Sequence, residues 1–100
     1  MNLYLTITGQ KHYFGMLPFA PGAVFSLLPD KNNLYDVDAI SVVSPVYGLV
    51  GLVAQSEETR AEGTLSASSL LPYLPENAAC IVRFIAGEYI LAELFEKEAE

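Results

Sequence analysis

Short runs in which aliphatic and polar residues alternate constrain the fold of this chain more than any other feature. The first run covers residues 3–8, places an aliphatic residue at every second position, and ends at Gly9. Such period-two alternation is typical of a strand with one buried face. Further strand-like segments, with turn formers between them, cover residues 23–28, 39–43, 49–54, 78–86 and 89–95. About six short strands favour a small closed all-β barrel, because closure leaves no strand edge exposed.

Two segments also carry helix signals. Thr64 precedes apolar residues at helical spacing, and Pro72 follows them. We therefore expect one short helix that has Thr64 as its N-cap and ends at Pro72. Residues 89–95 fit both a strand and a terminal helix, since their apolar residues also follow the 3.6-residue period. The Gly87-Glu88 turn before them favours the strand.

Length and charge describe one acidic domain. One hundred residues leave room for a single hydrophobic core. Five basic and twelve acidic residues give a net charge of −7, which disfavours binding to duplex phosphates and to anionic lipid. We expect a single domain over residues 1–95, followed by a solvated acidic tail over residues 96–100.

The sequence predicts a cytoplasmic protein. The N-terminal residues lack the basic region and the continuous apolar block of a secretory signal. The longest charge-free stretch, residues 39–56, is broken by Pro45, Gly48 and Gly51 and does not form a membrane span. Cys80 is the only cysteine and lies in an apolar run, so we expect a buried, reduced thiol.

Patterns for catalysis and metal binding are missing from the sequence. His12 is the only histidine, so with Cys80 it provides too few ligands for structural zinc and has no orienting partner for nucleophilic catalysis. The segment after Asp30 begins like a calcium loop, but Leu34 stands where a ligand is required and Tyr35 where glycine is required. We therefore expect a protein that is not an enzyme and needs no cofactor or metal.

Rings and polar groups gather on two predicted loops. They are His12, Tyr13 and Phe14 in the first loop, and Asn32, Asn33, Tyr35 and Asp36 in the second. Rings beside amides and a carboxylate can stack a nucleobase and hydrogen-bond a sugar or phosphate. Asp36 and Asp38 stand two positions apart, and they are either solvated turn charges or a carboxylate pair on one side of an extended segment.

Residues 33–42 have the pattern Asn-x-Tyr-Asp-x-x-Ala-Ile-x-Val, which resembles the core signature of the HIRAN domain family. The matching residues are Asn33, Tyr35, Asp36, Ala39, Ile40 and Val42. The likeness covers most of residues 3–95 and is nearest to the stand-alone bacterial members of the family. It implies a small β-barrel of the OB or SH3-like kind with one or two short helices, in agreement with the strand pattern.

This resemblance also implies a function. In family members attached to Swi/Snf-type DNA translocases, the domain grips the 3′ end of single-stranded DNA. The resemblance implies that Tyr35 stacks on the terminal base and that Asp36 accepts a hydrogen bond from the 3′ hydroxyl. Asn33 then helps to hold the nucleic-acid backbone. The first-loop residues that correspond to the rest of the site are Lys11, His12 and Tyr13.

Three positions depart from the family pattern. Lys11 and His12 stand where eukaryotic members have arginine and tyrosine, and Leu34 replaces a frequent proline. Lysine lacks the bidentate phosphate contact of arginine, and histidine is a smaller stacking platform than tyrosine. We therefore expect micromolar or weaker binding.

The alternative is a protein-interaction or self-association module. Asparagine and aspartate form turns, and Ala39, Ile40 and Val42 begin a core strand, so the whole signature also has a structural explanation. The candidate partners are thus a single-stranded DNA end, bound weakly, and a protein, for example a DNA-processing enzyme that acts on the bound end.

Overall fold

The computed structural model describes residues 2–98 and contains six strands in a closed antiparallel barrel. The strands are β1 (Tyr4–Thr8), β2 (Val24–Pro29), β3 (Ile40–Ser44), β4 (Gly48–Val53), β5 (Ala78–Ala86) and β6 (Tyr89–Glu96). One short helix, α1 (Ala67–Leu70), and the 3₁₀ turns Gln10–His12 and Leu71–Tyr73 complete the fold. The strands follow the order β1-β4-β3-β2-β5-β6 around the barrel. The predicted all-β barrel is confirmed.

Strand β1 closes the barrel because it pairs with β4 on one side and with β6 on the other. Ile7 lies opposite Val53 of β4 and Ile90 of β6, both in antiparallel register. The aliphatic residues of the first alternating run point inward, and both Leu5 and Ile7 are fully buried. Alternation along the sequence therefore translates directly into the barrel interior.

The backbone of β4 approaches β1 closely at Gly51. A Cβ atom at Gly51 would lie 2.9 Å from Cγ2 of Ile7 and 3.0 Å from the carbonyl oxygen of Thr8. A β-bulge in the β3–β4 pair precedes this contact, since the register shifts between Val42 and Val43. Glycine is required here for space, because nothing larger fits between the two strands.

The prediction that Thr64 caps the helix is wrong. Thr64 is buried, and its hydroxyl lies 2.8 Å from that of Thr6 in β1 and donates to the carbonyl oxygen of Ala61. A buried hydroxyl requires hydrogen-bond partners, and Thr64 has one in the barrel and one in the segment that precedes it. Ser66 is the N-cap instead, because its hydroxyl accepts from the backbone N–H of Ser69.

Pro72 follows the end of α1 at Leu70, as predicted. It lies within the 3₁₀ turn that continues directly from α1. Proline is tolerated in the first turn of a helix because its missing N–H would have had no intrahelical partner there. The helical segment therefore ends only after Tyr73.

Residues 89–95 form a strand, and the terminal-helix alternative is wrong. Strand β6 pairs along its length with β5 and also with β1, which a helix cannot do. Glu96 is the last residue of this strand, and the backbone N–H of Lys97 donates to the carbonyl oxygen of Asn77. The predicted tail over residues 96–100 thus begins inside β6, while Ala99 and Glu100 lie outside the described residues. Over residues 2–98 no helix is long and apolar enough to cross a membrane.

We predict that Gly51→Ala destabilises the barrel by about 1–3 kcal/mol, because the new methyl group has no space between β4 and β1. Urea unfolding measures the change. Gly48→Asn is the control, since Gly48 has a φ of 76° that asparagine tolerates and open space around it. Equal stability of the two variants would contradict the role assigned to the close approach.

We also predict that Cys80 makes stability fall above pH 9. Burial raises the pKa of the Cys80 thiol from 9.0 to about 12, and a hydrogen bond with the backbone of Phe25 opposes this rise. The unfolded thiol ionises first, so the stabilisation is fully present below pH 9 and is lost as the pH rises towards the folded pKa, at most by about 1.4 kcal/mol per pH unit. Urea unfolding from pH 7 to 10.5 should show this slope, and the slope should be smaller in Cys80→Ala.

Candidate nucleic-acid interface

The loop between β2 and β3, residues 30–39, is ordered by its own asparagine and aspartate side chains. We call it the motif loop. Oδ1 of Asn33 accepts the backbone N–H groups of Tyr35 and Asp36, each at 2.9 Å. Oδ1 of Asp36 accepts the N–H of Asp38, also at 2.9 Å. These are Asx turns, in which a short polar side chain replaces a backbone acceptor.

This turn geometry exposes apolar side chains. Tyr35 is 98% exposed, and its neighbours Leu34 and Val37 are 94% and 74% exposed. The base of the motif loop is closed by a 2.8 Å hydrogen bond from the N–H of Asp30 to the carbonyl oxygen of Ala39. The ring of Tyr35 therefore stands on a closed, internally bonded loop and is free to stack on a ligand.

Two residues that the sequence did not single out join the motif loop to the barrel. Nε2 of Gln55 donates to Oδ2 of Asp36 at 3.1 Å and to the hydroxyl of Ser68 at 2.7 Å. The Ser68 hydroxyl in turn donates to Oδ2 of Asp38 at 2.8 Å. No local pattern marks Gln55 or Ser68, because their partners are distant along the chain.

A surface hollow of about 370 Å³ lies beside the motif loop. We call it the Asp36 hollow. It is lined by Thr8, Asn33, Tyr35, Asp36, Ala39, Leu52, Val53, Gln55, Ser56 and Thr59. Its lining thus combines apolar strand residues with hydroxyl, amide and carboxylate groups. No lysine or arginine belongs to this set, so the hollow disfavours an anionic group and offers hydrogen-bond acceptors to a group that carries hydroxyls.

A second hollow of about 230 Å³ adjoins the first, and we call it the Lys11 hollow. It is lined by Ile7, Thr8, Gly9, Gln10, Lys11, Glu58, Thr59, Glu88 and Tyr89. Thr8 and Thr59 line both hollows, so the two form neighbouring parts of one surface. Glu58 and Glu88 lower the positive potential that Lys11 would otherwise supply.

The structure brings some of the six predicted site residues together and separates others. The three from the motif loop line the Asp36 hollow, and Lys11 lines the adjoining one. His12 and Tyr13 line neither hollow, although both side chains are exposed. Beside Tyr13, the ring of Phe14 packs against Tyr47 with the ring centroids 5.1 Å apart. Within residues 2–98 no group of three histidine, cysteine, aspartate or glutamate side chains could hold a metal ion.

Comparison with solved structures supports the resemblance at the level of the fold. The crystal structure of the HIRAN domain of human HLTF matches with a TM-score of 0.65 and 22% identity, covering 93% of this chain and 72% of that one. The crystal structure of a Lactobacillus plantarum protein matches with a TM-score of 0.63 and 17% identity, covering 94% and 91%. No protein-family model and no curated protein matches the sequence. The chain therefore has the fold of a HIRAN domain, as its motif predicts.

We predict that Asn33→Ala loosens the motif loop, because two backbone N–H groups lose their acceptor. Amide hydrogen exchange at Tyr35 and Asp36, followed by NMR, should accelerate by about tenfold. Asn33→Asp keeps the acceptor oxygen and should preserve protection. Asn32→Ala is the matched control in the same loop, and equal exchange rates in the two alanine variants would argue against the Asx turn.

Proposed function

We propose that this protein is a nucleic-acid-binding module that recognises the 3′-hydroxyl end of single-stranded DNA. The observation that carries the proposal is the placement of an exposed ring, Tyr35, next to a carboxylate, Asp36, at one hollow without a cation. The HIRAN fold supports the same conclusion, since the family resemblance implies recognition of such ends.

In this proposal Tyr35 stacks on the terminal base. Stacking of a base on an aromatic side chain contributes about 1–3 kcal/mol and tolerates any base. The exposed Tyr35 ring is not packed against the barrel, so a base gains contact area without displacing a protein side chain. Binding by this residue therefore requires an accessible base, as in a single strand.

Asp36 reads the terminal hydroxyl. An ionised carboxylate has about four acceptor positions, and here one on Oδ1 is used by the N–H of Asp38 and one on Oδ2 by Gln55. The remaining positions can accept a hydrogen bond from a 3′ hydroxyl. A 3′ phosphate would bring a second negative charge to the same place and would be repelled.

Lys11 lines the adjoining hollow, and His12 and Tyr13 follow it in the chain as exposed rings outside both hollows. In the proposal Lys11 approaches a backbone phosphate from the Lys11 hollow, and the exposed rings of His12 and Tyr13 offer further stacking positions to a nucleotide that lies beyond this hollow. The nearby Glu58 and Glu88 weaken any phosphate contact at Lys11. We therefore place the affinity in the micromolar range or weaker.

The proposed activity is binding without a chemical step. Any reaction at the bound end belongs to a separate DNA-processing enzyme, which is the protein partner that the proposal implies. Binding alone would also shield the terminal hydroxyl from other proteins.

A protein-interaction or self-association module is the second candidate. It is favoured by the exposed apolar side chains of Leu34 and Val37, which flank Tyr35 on the motif loop. Apolar groups on an ordered loop are typical of surfaces that pack against another protein. In that case the side chains of Asn33 and Asp36 only stabilise the turn and bind no ligand.

We predict that a low-salt fluorescence titration with short single strands shows preference for a 3′ hydroxyl over a 3′ phosphate. Tyr35→Ala should weaken binding by about tenfold or more, because the stacking contact is lost, and Asp36→Ala should abolish the preference. Tyr35→Phe should restore most of the affinity. Tyr73→Ala is the control, since Tyr73 is also exposed but lines neither hollow.

Two results would overturn the proposal. One is the absence of binding to any strand up to high micromolar concentrations. The other is binding that both Tyr35→Ala and Asp36→Ala leave unchanged. Either result would favour the protein-interaction or self-association module. A lower mass of the protein complex or oligomer in Leu34→Ser than in the wild type would then support that candidate.

A further inference from the structure

We propose that Gln55 and Ser68 are positioning residues that fix the Asp36 carboxylate and thereby set the preference of the site for a 3′ hydroxyl. This inference rests on the proposed function. It extends the site beyond the motif loop, to the residues after β4 and to helix α1.

The orientation of the Gln55 amide is fixed by Ser68. Oε1 of Gln55 accepts the backbone N–H of Ser68 at 2.9 Å, and Nε2 donates to the hydroxyl of the same serine at 2.7 Å. A backbone N–H only donates, so it determines which end of the amide is the oxygen. The second N–H of Nε2 is then directed to Oδ2 of Asp36, at 3.1 Å.

Ser68 also holds the second carboxylate of the motif loop. Its hydroxyl accepts from Gln55 and donates its single proton to Oδ2 of Asp38. In the part of the chain that the structure describes, two side-chain hydrogen bonds join the motif loop to the rest of the barrel. They run from Gln55 to Asp36 and from Ser68 to Asp38. The orientation of the Asp36 carboxylate at the hollow therefore depends on this pair of residues together with the backbone N–H of Asp38.

The side chains of Gln55 and Ser68 that donate to the two carboxylates are neutral, and their neutrality determines how they affect the preference for a 3′ hydroxyl. An amide and a hydroxyl orient a carboxylate without cancelling its charge, whereas a lysine or arginine at the same place would pair with it. Asp36 thus keeps the negative charge that repels a 3′ phosphate while its direction is fixed. Preference for a 3′ hydroxyl requires both the negative charge and the fixed orientation of the Asp36 carboxylate.

The test compares the ratio of affinities for 3′-hydroxyl and 3′-phosphate strands in the wild type and in four variants. Gln55→Met keeps the length of the side chain but removes the donor, and Ser68→Ala removes the hydroxyl that joins Gln55 to Asp38. We expect the ratio to fall by about tenfold in Gln55→Met and by a smaller factor in Ser68→Ala. Ser68→Thr keeps a hydroxyl and should restore the ratio.

Ser69→Ala is the matched control. Ser69 neighbours Ser68 in α1, and within residues 2–98 its hydroxyl bonds only to that of Ser66, so its removal should leave the ratio unchanged. A purely structural role of Gln55 would weaken binding to both strands equally and leave the ratio as in the wild type. Circular dichroism at the titration temperature confirms that each variant is folded.

The outcomes separate this inference from the proposed function. A wild type that prefers the 3′ hydroxyl, together with Gln55→Met and Ser68→Ala variants that keep the full preference, would overturn the inference and leave the proposed function standing. A wild type that binds no strand would overturn both. A ratio that falls in both variants and returns in Ser68→Thr supports the inference.

Discussion

Closure of the barrel at β1 is the constraint on which the rest of the structure depends. Strand β1 pairs with β4 and with β6, and Gly51 leaves the space in which the backbone of β4 lies against Ile7 and Thr8. Thr8 then occupies the end of β1, where it lines both hollows, and Leu52 opposite it lines the Asp36 hollow. The candidate site is therefore built at the place where the barrel is closed.

The motif loop shows that structural and functional explanations of one sequence pattern are compatible. Oδ1 of Asn33 is used by two backbone N–H groups, and Oδ1 of Asp36 by a third. The same bonds leave Tyr35 exposed and keep Asp36 at the hollow. A residue that builds the turn thus also determines which groups the turn presents to a ligand.

The strands could be predicted from the sequence because their signals are local. Alternation over residues 3–8 reports directly which side chains point inward, and the motif predicts the fold that the comparison confirms. The local pattern predicts a cap role for Thr64 and misses its actual partner, Thr6, which lies 58 positions away in the sequence. The roles of Gln55 and Ser68 have no signal in the sequence either, since hydrogen bonds between distant segments leave no periodic pattern.

Pairing of the first strand with the last has a consequence for synthesis of the protein. A ribosome releases residues in order, so the edge of β1 that pairs with β6 stays open until Ile90 and Ala92 have emerged. The barrel cannot grow strand by strand into its final form. Its closure is a single late event governed by contacts of high sequence separation, and until then the nascent chain is open to aggregation or to capture by a chaperone.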